Sequence, residues 1–383
     1  MLHVAQVNFH CDPERRQPAE LLDAWPTLVD VAEAAAVGGV RVSVIQACWR
    51  RAHLSRNGVS YHFIPCDGAG LGDLIAHIRP DVLHVQGLGF PREVFSLAKA
   101  APHTPILLQD HANRLPRIWQ RPLWRRGLSV VSGVSFCARE QAQPFLTVKL
   151  ISTHTAIYEI PESTSRFTPG DQAAARRATQ IFGAPAVLWV GHLNDNKDPL
   201  SVLDGLAEAA RHLPDLHLWC CFGVAPLLPR VHARIERYPR LEDRVHLLGR
   251  VRHETIEQLM RAADLFVLGS HREGSGYSVM EALACGLPPV ITDIPSFRVL
   301  TAGGAIGSLW PRGDTQRLSQ ALVSLASQPQ AVLRTAARAH FERELSFEAV
   351  GRKLVAAYQD LIGRKQTERS RATSAPALPV NHV

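Results

Sequence analysis

Ser270-His-Arg-Glu-Gly-Ser-Gly-Tyr-Ser-Val-Met-Glu281-Ala-Leu-Ala-Cys-Gly286-Leu-Pro-Pro-Val290 is the stretch on which the fold turns. It follows the apolar run Ala263-Asp-Leu-Phe-Val-Leu-Gly269 and leads into Val290-Ile-Thr292. Apolar run, Gly-rich turn, helical pattern, apolar run: this order predicts strand, loop, helix, strand. A Gly-rich turn that opens a helix offers free backbone N–H groups and a positive dipole end to an anion. Glu273 falls on the loop, and Glu281, eight residues on, falls about one turn inside the helix. Neither carboxylate suits a phosphate, but both accept hydrogen bonds from hydroxyls. Phosphate donors flanked by two hydroxyl acceptors match a nucleotide sugar, whose diphosphate lies between a ribose and a hexose.

The same alternation runs outward in both directions. Strands are expected at Val4–Phe9, Arg41–Ile45, Tyr61–Ile64, Val82–Val85, Ile106–Gln109, Val130–Ser135 and Val148–Ile151. In the second half they are expected at Ala186–Val190, Leu216–Phe222, Val245–Leu247, Leu265–Leu268, Pro289–Thr292 and Gly304–Leu309. Helical patterns such as Leu21–Val37, Glu93–Ala100, Leu200–Arg211 and Thr255–Ala263 lie between them. Repeated β-α units predict parallel sheets covered on both faces. Pro161-Glu-Ser-Thr-Ser-Arg-Phe-Thr-Pro-Gly-Asp171 is a polar connector. The expected organisation is a first domain over 1–165, a second over 166–343, a helical segment over 344–365 packing back on the first domain, and a disordered tail over 366–383.

With 383 residues, 46% hydrophobic and 20% charged, the chain has room and composition for two globular domains. Its net charge of +7 suits an anionic ligand or surface without requiring one. The N-terminus lacks the basic region and cleavage site of a signal peptide. No apolar run is long enough to span a membrane. Seven cysteines without framework spacing predict reduced thiols and a cytoplasmic location, with any membrane contact peripheral.

A second loop complements the first. In Val190-Gly191-His192-Leu193-Asn-Asp-Asn-Lys197-Asp198-Pro199, Gly191 permits a sharp turn and Asp198 caps the next helix, with Pro199 in its first turn. His192 and Lys197 then stand above a strand end, where a phosphate could be held; alone, the loop reads more readily as an ordinary surface connection.

These two loops, together with Val245-His-Leu-Leu-Gly249-Arg-Val251 and Ala262-Ala-Asp264-Leu-Phe-Val-Leu-Gly-Ser270, resemble the donor half of a GT-B glycosyltransferase of family 4, the glycosyl transferases group 1. Arg79-Pro-Asp-Val-Leu-His84-Val-Gln-Gly87 and Leu107-Leu-Gln-Asp110-His111 resemble the family's first half more loosely. The resemblance implies an α/β GT-B fold, two Rossmann-like doubly wound domains facing across a cleft. It implies transfer of a sugar from a nucleotide-sugar donor to a glycan, lipid-linked or small-molecule acceptor, with retention and without a metal or other cofactor. Lys197 and His192 would contact the diphosphate, with His192 in the place of the family's usual arginine, beside Gly191. Glu273 would hold the transferred sugar, and the amides of Ser275, Gly276 and Tyr277 would cradle sugar and phosphate. Glu281 would bind the ribose, Arg250 and Val251 would lie near the base, and His111 would stand at the reaction centre on the acceptor side. Glu273, Lys197 and His111 are thus the catalytic candidates. Taken as a pair, Glu273 and Glu281 could be a general acid and base; beside Lys197 they read as clamps at opposite ends of one donor.

The first half departs from the family at the loop after its first strand, where His10-Cys-Asp-Pro-Glu-Arg-Arg-Gln-Pro18 replaces the usual Gly-Gly turn. Arg15 or Arg16 could substitute as phosphate contacts, though surface arginines are the simpler reading. Ser275 stands where the family commonly has an aromatic residue. A non-catalytic sugar-nucleotide-binding partner of the same fold, a phosphorylase and an epimerase remain alternatives. One further segment, Arg114-Leu-Pro-Arg117-Ile-Trp119-Gln-Arg121-Pro-Leu-Trp124-Arg125-Arg126, has five arginines, two tryptophans and no acid. It suits peripheral membrane contact or an anionic acceptor; a basic helix with both tryptophans packed inward is the preferred reading. No nucleic-acid partner is expected.

Overall fold

The computed structural model describes residues 1–374 and divides into two units, Met1–Glu162 with the chain from Val350 onward, and Ser163–Ala349. In the first unit the strands are β1 (His3–Asn8), β2 (Arg41–Cys48), β3 (Ala52–Arg56), β4 (Val59–Pro65), β5 (Val82–Gln86), β6 (Ile106–Gln109), β7 (Gly133–Phe136) and β8 (Ala156–Glu159). They form one sheet in the order β3-β4-β2-β1-β5-β6-β7-β8. All neighbours are parallel except β3 and β4. The second unit contains β9 (Ala186–Val190), β10 (His217–Cys221), β11 (Val245–Gly249), β12 (Leu265–Leu268), β13 (Pro289–Thr292) and β14 (Ser308–Trp310). Its sheet is wholly parallel, in the order β11-β10-β9-β12-β13-β14.

The central strands read as continuous apolar runs because both faces are covered: β12 and β13 are buried at every position. In each sheet the strand order reverses beside the first strand, between β1 and β5 and between β9 and β12. Loops leaving the carboxyl ends there splay apart and leave a crevice for a ligand.

Four local features differ from the sequence expectation. Val148–Ile151 is not a strand: Lys149 adopts φ +55°, and Leu150 and Ile151 turn into the core of the first unit. The strand β8 comes later instead. β3 is an added antiparallel edge strand, joined to β4 through Asn57 and Gly58 at φ +48° and +79°. Both residues in the left-handed region make the two-residue turn that suits strand twist. The helical pattern at Leu21–Val37 is two helices, Pro18–Ala24 and Pro26–Val37, split at Pro26, which has no N–H to give the preceding turn. Finally, the last helix runs over Phe347–Ser374, well past Ile362. Residues 366–374, expected as part of a disordered tail, are therefore helical; residues 375–383 lie outside the described residues. Gln366-Thr-Glu-Arg-Ser-Arg371 contains enough helix formers to continue the helix, and Arg364 supports it with an i,i+4 bond of 2.7 Å to Asp360.

The last helix belongs to the first unit. Tyr358 Oη meets His84 Nδ1 on β5 at 2.8 Å, and Tyr158 on β8 donates to Asp360 at 2.6 Å. Gly351 lies against Ala34 O, so close that a Cβ there would come within 2.2 Å of it.

Two expectations about side chains also change. Cys11 and Cys66 are joined as a disulfide, with Cα atoms 5.9 Å apart, whereas all seven cysteines were expected as thiols. They follow β1 and β4, which end at the same edge of the sheet with only β2 between them. The other five cysteines are free and buried. In the Arg114–Arg126 segment, Trp124 packs against the core as expected, but Trp119 is exposed: it sits on the short turn Ile118–Gln120 that precedes the helix Arg121–Leu128.

Candidate functional site

In the second unit, the loops after β9 and β12 leave the sheet side by side at the point of reversal. Gly191 ends β9 without a side chain to meet Leu268, whose Cδ1 would lie 3.3 Å from a Cβ. The loop then turns back through Asn194, whose carbonyl accepts from both Lys197 N and Asp198 N at 3.1 Å. Asp198 sits at φ +47° and caps the helix Pro199–Ala209 by accepting from Ser201 N. Its second carboxylate oxygen faces His271 Nε2 at 3.0 Å on the neighbouring loop. His271 N donates to Asn196 O at 2.7 Å, and Asn196 Nδ2 donates to Arg272 O at 3.0 Å. Three hydrogen bonds thus bind one loop to the other.

That zipper brings Lys197 Nζ against Glu273 Oε1, with side chains only 16% and 14% exposed. Gly276 follows at φ +78° and opens the helix Tyr277–Ala284. A Cβ there would lie 2.5 Å from the Phe297 ring. The helix opens at Gly276, three residues after Glu273, at a turn where a side chain larger than glycine's would meet Phe297. One turn in, Glu281 is almost wholly buried and meets His253 Nε2. Burial pushes its carboxyl above the ordinary range, while His253 draws it back. Tyr277 stacks near His253 with ring centroids 6.3 Å apart. His192 is exposed, and its Nδ1 accepts from Val224 N at 3.1 Å. A ring nitrogen used as acceptor leaves Nε2 to donate outward. Arg250 and Val251 follow the edge strand β11, two strands away from β9.

In the first unit, a cavity of about 680 Å³ opens at the carboxyl ends of β1 and β5, the other reversal point. His10, Trp25, Gln86, His111 and Asn113 line it. His111 Nε2 faces Gln86 Oε1 at 2.8 Å and Nδ1 faces Glu162 Oε2 at 2.7 Å, so the ring is fixed by acceptors on both sides. Asp110 behind it is buried and pushed up to about 6, mainly by desolvation. Arg16 contacts both Asp12, at 2.9 Å, and Glu14, and Arg15 lies over the Trp49 ring at 4.2 Å. The two arginines that could have met a phosphate are engaged elsewhere.

A family model described as "Glycosyl transferases group 1" matches residues 184–328, the stretch that holds the Lys197–Glu273 site. Residues 184–328 belong to the glycosyl transferases group 1 family. D-inositol 3-phosphate glycosyltransferase of Mycobacterium sp. (strain JLS) is 32% identical over 178 residues, 45% of this chain and 40% of that protein. The match thus spans well under half the length of that relative. GDP-mannose:cellobiosyl-diphosphopolyprenol alpha-mannosyltransferase of Xanthomonas campestris is 25% identical over 303 residues, 76% of this chain and 77% of that protein. Among solved structures, sucrose-phosphate synthase of Thermosynechococcus elongatus covers 95% of this chain with a TM-score of 0.70 at 18% identity. HepE of Anabaena, solved with UDP, covers 94% with a TM-score of 0.68 at 19% identity. Both cover the whole of the compared chain. This likeness is one of fold: two Rossmann-like α/β units of the GT-B kind.

Within the group 1 domain, the structure gathers Gly191, Lys197, Glu273, Ser275 and Gly276 around one strand reversal, with Tyr277 and Glu281 on the helix behind. The partner residues His253 and His271 were not foreseen. His271 stands two residues before Glu273 and could have been found by asking what joins the loops. His253 carries no such signal, because its meeting with Glu281 depends on how two helices pack.

Proposed function

We propose that the protein is a retaining, metal-independent glycosyltransferase that moves a sugar from a nucleotide-sugar donor to a hydroxyl-bearing acceptor. The observation that carries this reading is the Lys197–Glu273 pair at the β9/β12 reversal, beside the Gly276-opened helix. A leaving diphosphate needs positive charge fixed in place before the glycosidic bond breaks. Lys197 supplies it as a point charge, the first amides of Tyr277–Ala284 add the helix dipole, and His192 Nε2 adds a neutral donor in place of a guanidinium. Glu273, held by Lys197, accepts from sugar hydroxyls, and Glu281 accepts from the ribose. Attack from the side on which the diphosphate leaves would retain the configuration without an enzyme nucleophile.

His111 and the cavity of the first unit are read as the acceptor side. The acids around Arg16 and the Trp25 face favour a polyhydroxylated acceptor with its own phosphates, if any, away from this loop. The Xanthomonas relative's name specifies a diphosphopolyprenol-linked acceptor, and a lipid-linked acceptor is the class adopted here. It would bring the protein to a membrane surface peripherally: no helix among the described residues is long and apolar enough to cross a membrane.

Thermal unfolding with UDP, GDP, ADP and their sugars tests the donor half, since a bound ligand raises the midpoint by mass action. With the donor found, Glu273→Gln and Lys197→Ala should each lower kcat/KM by about two orders of magnitude or more, the loss typical of one removed electrostatic contact. Turnover should survive EDTA, and product NMR should show the donor's anomeric configuration. Near-normal turnover in both variants would sink the assignment.

A further inference from the structure

From His111 to Arg139 the chain has no acidic residue and six arginines, at 114, 117, 121, 125, 126 and 139. The structure sorts this segment into an inner and an outer face. Leu128 is buried in the core and Trp124 packs beside it. Ile118 and Trp119 point the other way, 74% and 71% exposed, with Leu115 and Leu123 flanking them. Four of the eleven large exposed hydrophobic side chains among the described residues thus crowd between Leu115 and Leu123. Exposed apolar residues are ordinary when scattered; gathered in one short segment they mark a contact surface.

The same short segment is rich in cations. Arg117 lies 5.2 Å from the Trp119 ring, and Arg126 lies 4.5 Å over Phe95, which Lys99 also approaches at 5.0 Å. Arg114, Arg117, Arg125 and Arg126 are all exposed. An indole is suited to the headgroup level of a bilayer, and guanidinium groups bind phosphate in a planar, two-pronged fashion. Ile118 and Trp119 are open to solvent over most of their surface, as entry into a soft interface requires. We propose that residues 114–126 dock the protein peripherally on a membrane surface that carries anionic phospholipid headgroups. Ile118 and Trp119 enter the interface, and the four exposed arginines pair with lipid phosphates. This surface is independent of the transfer reaction, and so is its test.

The test is co-sedimentation of the full chain with vesicles of phosphatidylglycerol and phosphatidylcholine in equal parts, against pure phosphatidylcholine. The wild type should pellet with the anionic vesicles only, and added salt should release it. Ile118→Ser with Trp119→Ser should weaken partitioning at least about tenfold. Arg114→Gln, Arg117→Gln, Arg125→Gln and Arg126→Gln together should weaken it about a hundredfold or more. These side chains are exposed, and Arg125, through Val148 O, and Arg126, over Phe95, are the ones that touch the fold, so thermal midpoints within a few degrees of the wild type are expected and exclude misfolding as the cause. A wild type that stays in the supernatant, or variants that pellet equally well, would overturn the proposal. So would a wild-type dimer, seen by sedimentation velocity, that the Ile118/Trp119 variant disperses; the patch would then serve a second copy.

Discussion

Lys197 and Glu273 share a contact that the diphosphate of the proposed donor would disturb. On the proposed reading, phosphate oxygens would compete for the ammonium while sugar hydroxyls took up the carboxylate, so one ligand would re-satisfy both ends of the pair. Glu281 has a different proposed task, deeper, on the helix Tyr277–Ala284 that follows the Glu273 loop, where it is tied to His253. Glu281→Ala should weaken nucleotide affinity by about 1–3 kcal/mol, the range for hydrogen bonds to a charged or buried group, and leave turnover at saturating donor nearly intact. Calorimetry with the nucleoside diphosphate and steady-state kinetics would separate the two effects. Gly276→Ala combines a left-handed backbone with a clash against Phe297, and should cost about 2 kcal/mol or more in urea unfolding. At this scale the sequence was informative where candidate residues lie on loops next to strand ends, as for Lys197 and Glu273, which the structure brings together. It was silent where a contact joins two helices, as for His253 and Glu281, because no local spacing encodes their packing.

Elements were legible wherever hydrophobic period alone defines them. The buried runs β5, β6, β9, β12 and β13 sit where the apolar pattern puts them. β3 alternates exposed and half-buried positions and has no hydrophobic run, so only Asn57-Gly58 announced it. Gly58→Ala would force a side chain to φ +79° in open space, without a clash. It should therefore cost only the backbone term, about 1 kcal/mol, in chemical denaturation. Gly351 is the contrasting case, since Ala there would drive its Cβ into the Ala34 carbonyl. Gly351→Ala should loosen the last helix, seen as faster limited proteolysis beyond residue 346. The Arg114–Arg126 segment is intermediate: its composition was plain, but the break before Pro122 that turns Trp119 outward was not.

Across the whole molecule, two buried groups pull acid stability in opposite directions. Burial lowers His84 to about 3, so the unfolded chain takes up a proton between about pH 6.5 and 3 that the folded chain refuses. Stability is lost there as pH falls, by at most about 1.4 kcal/mol per unit. Asp110, raised to about 6, keeps its proton in the folded chain where the unfolded chain has released it, so stability grows as pH falls from about 6 to 4. Asp110→Asn should therefore steepen the acid-side loss and His84→Gln should flatten it, read from urea midpoints against pH. Alkylation of the denatured, unreduced protein should label five cysteines, and reduction should expose all seven.

The return of the chain to its first unit has a consequence for synthesis. The polypeptide leaves that unit after Glu162 and does not come back until Val350, so everything needed for the second unit emerges while the first is still missing Tyr358 and its bond to His84. Domains ordinarily mature in the order in which the ribosome delivers them. Here the amino-terminal half must wait for the carboxyl-terminal helix, and the later-made second unit is the first that can be finished.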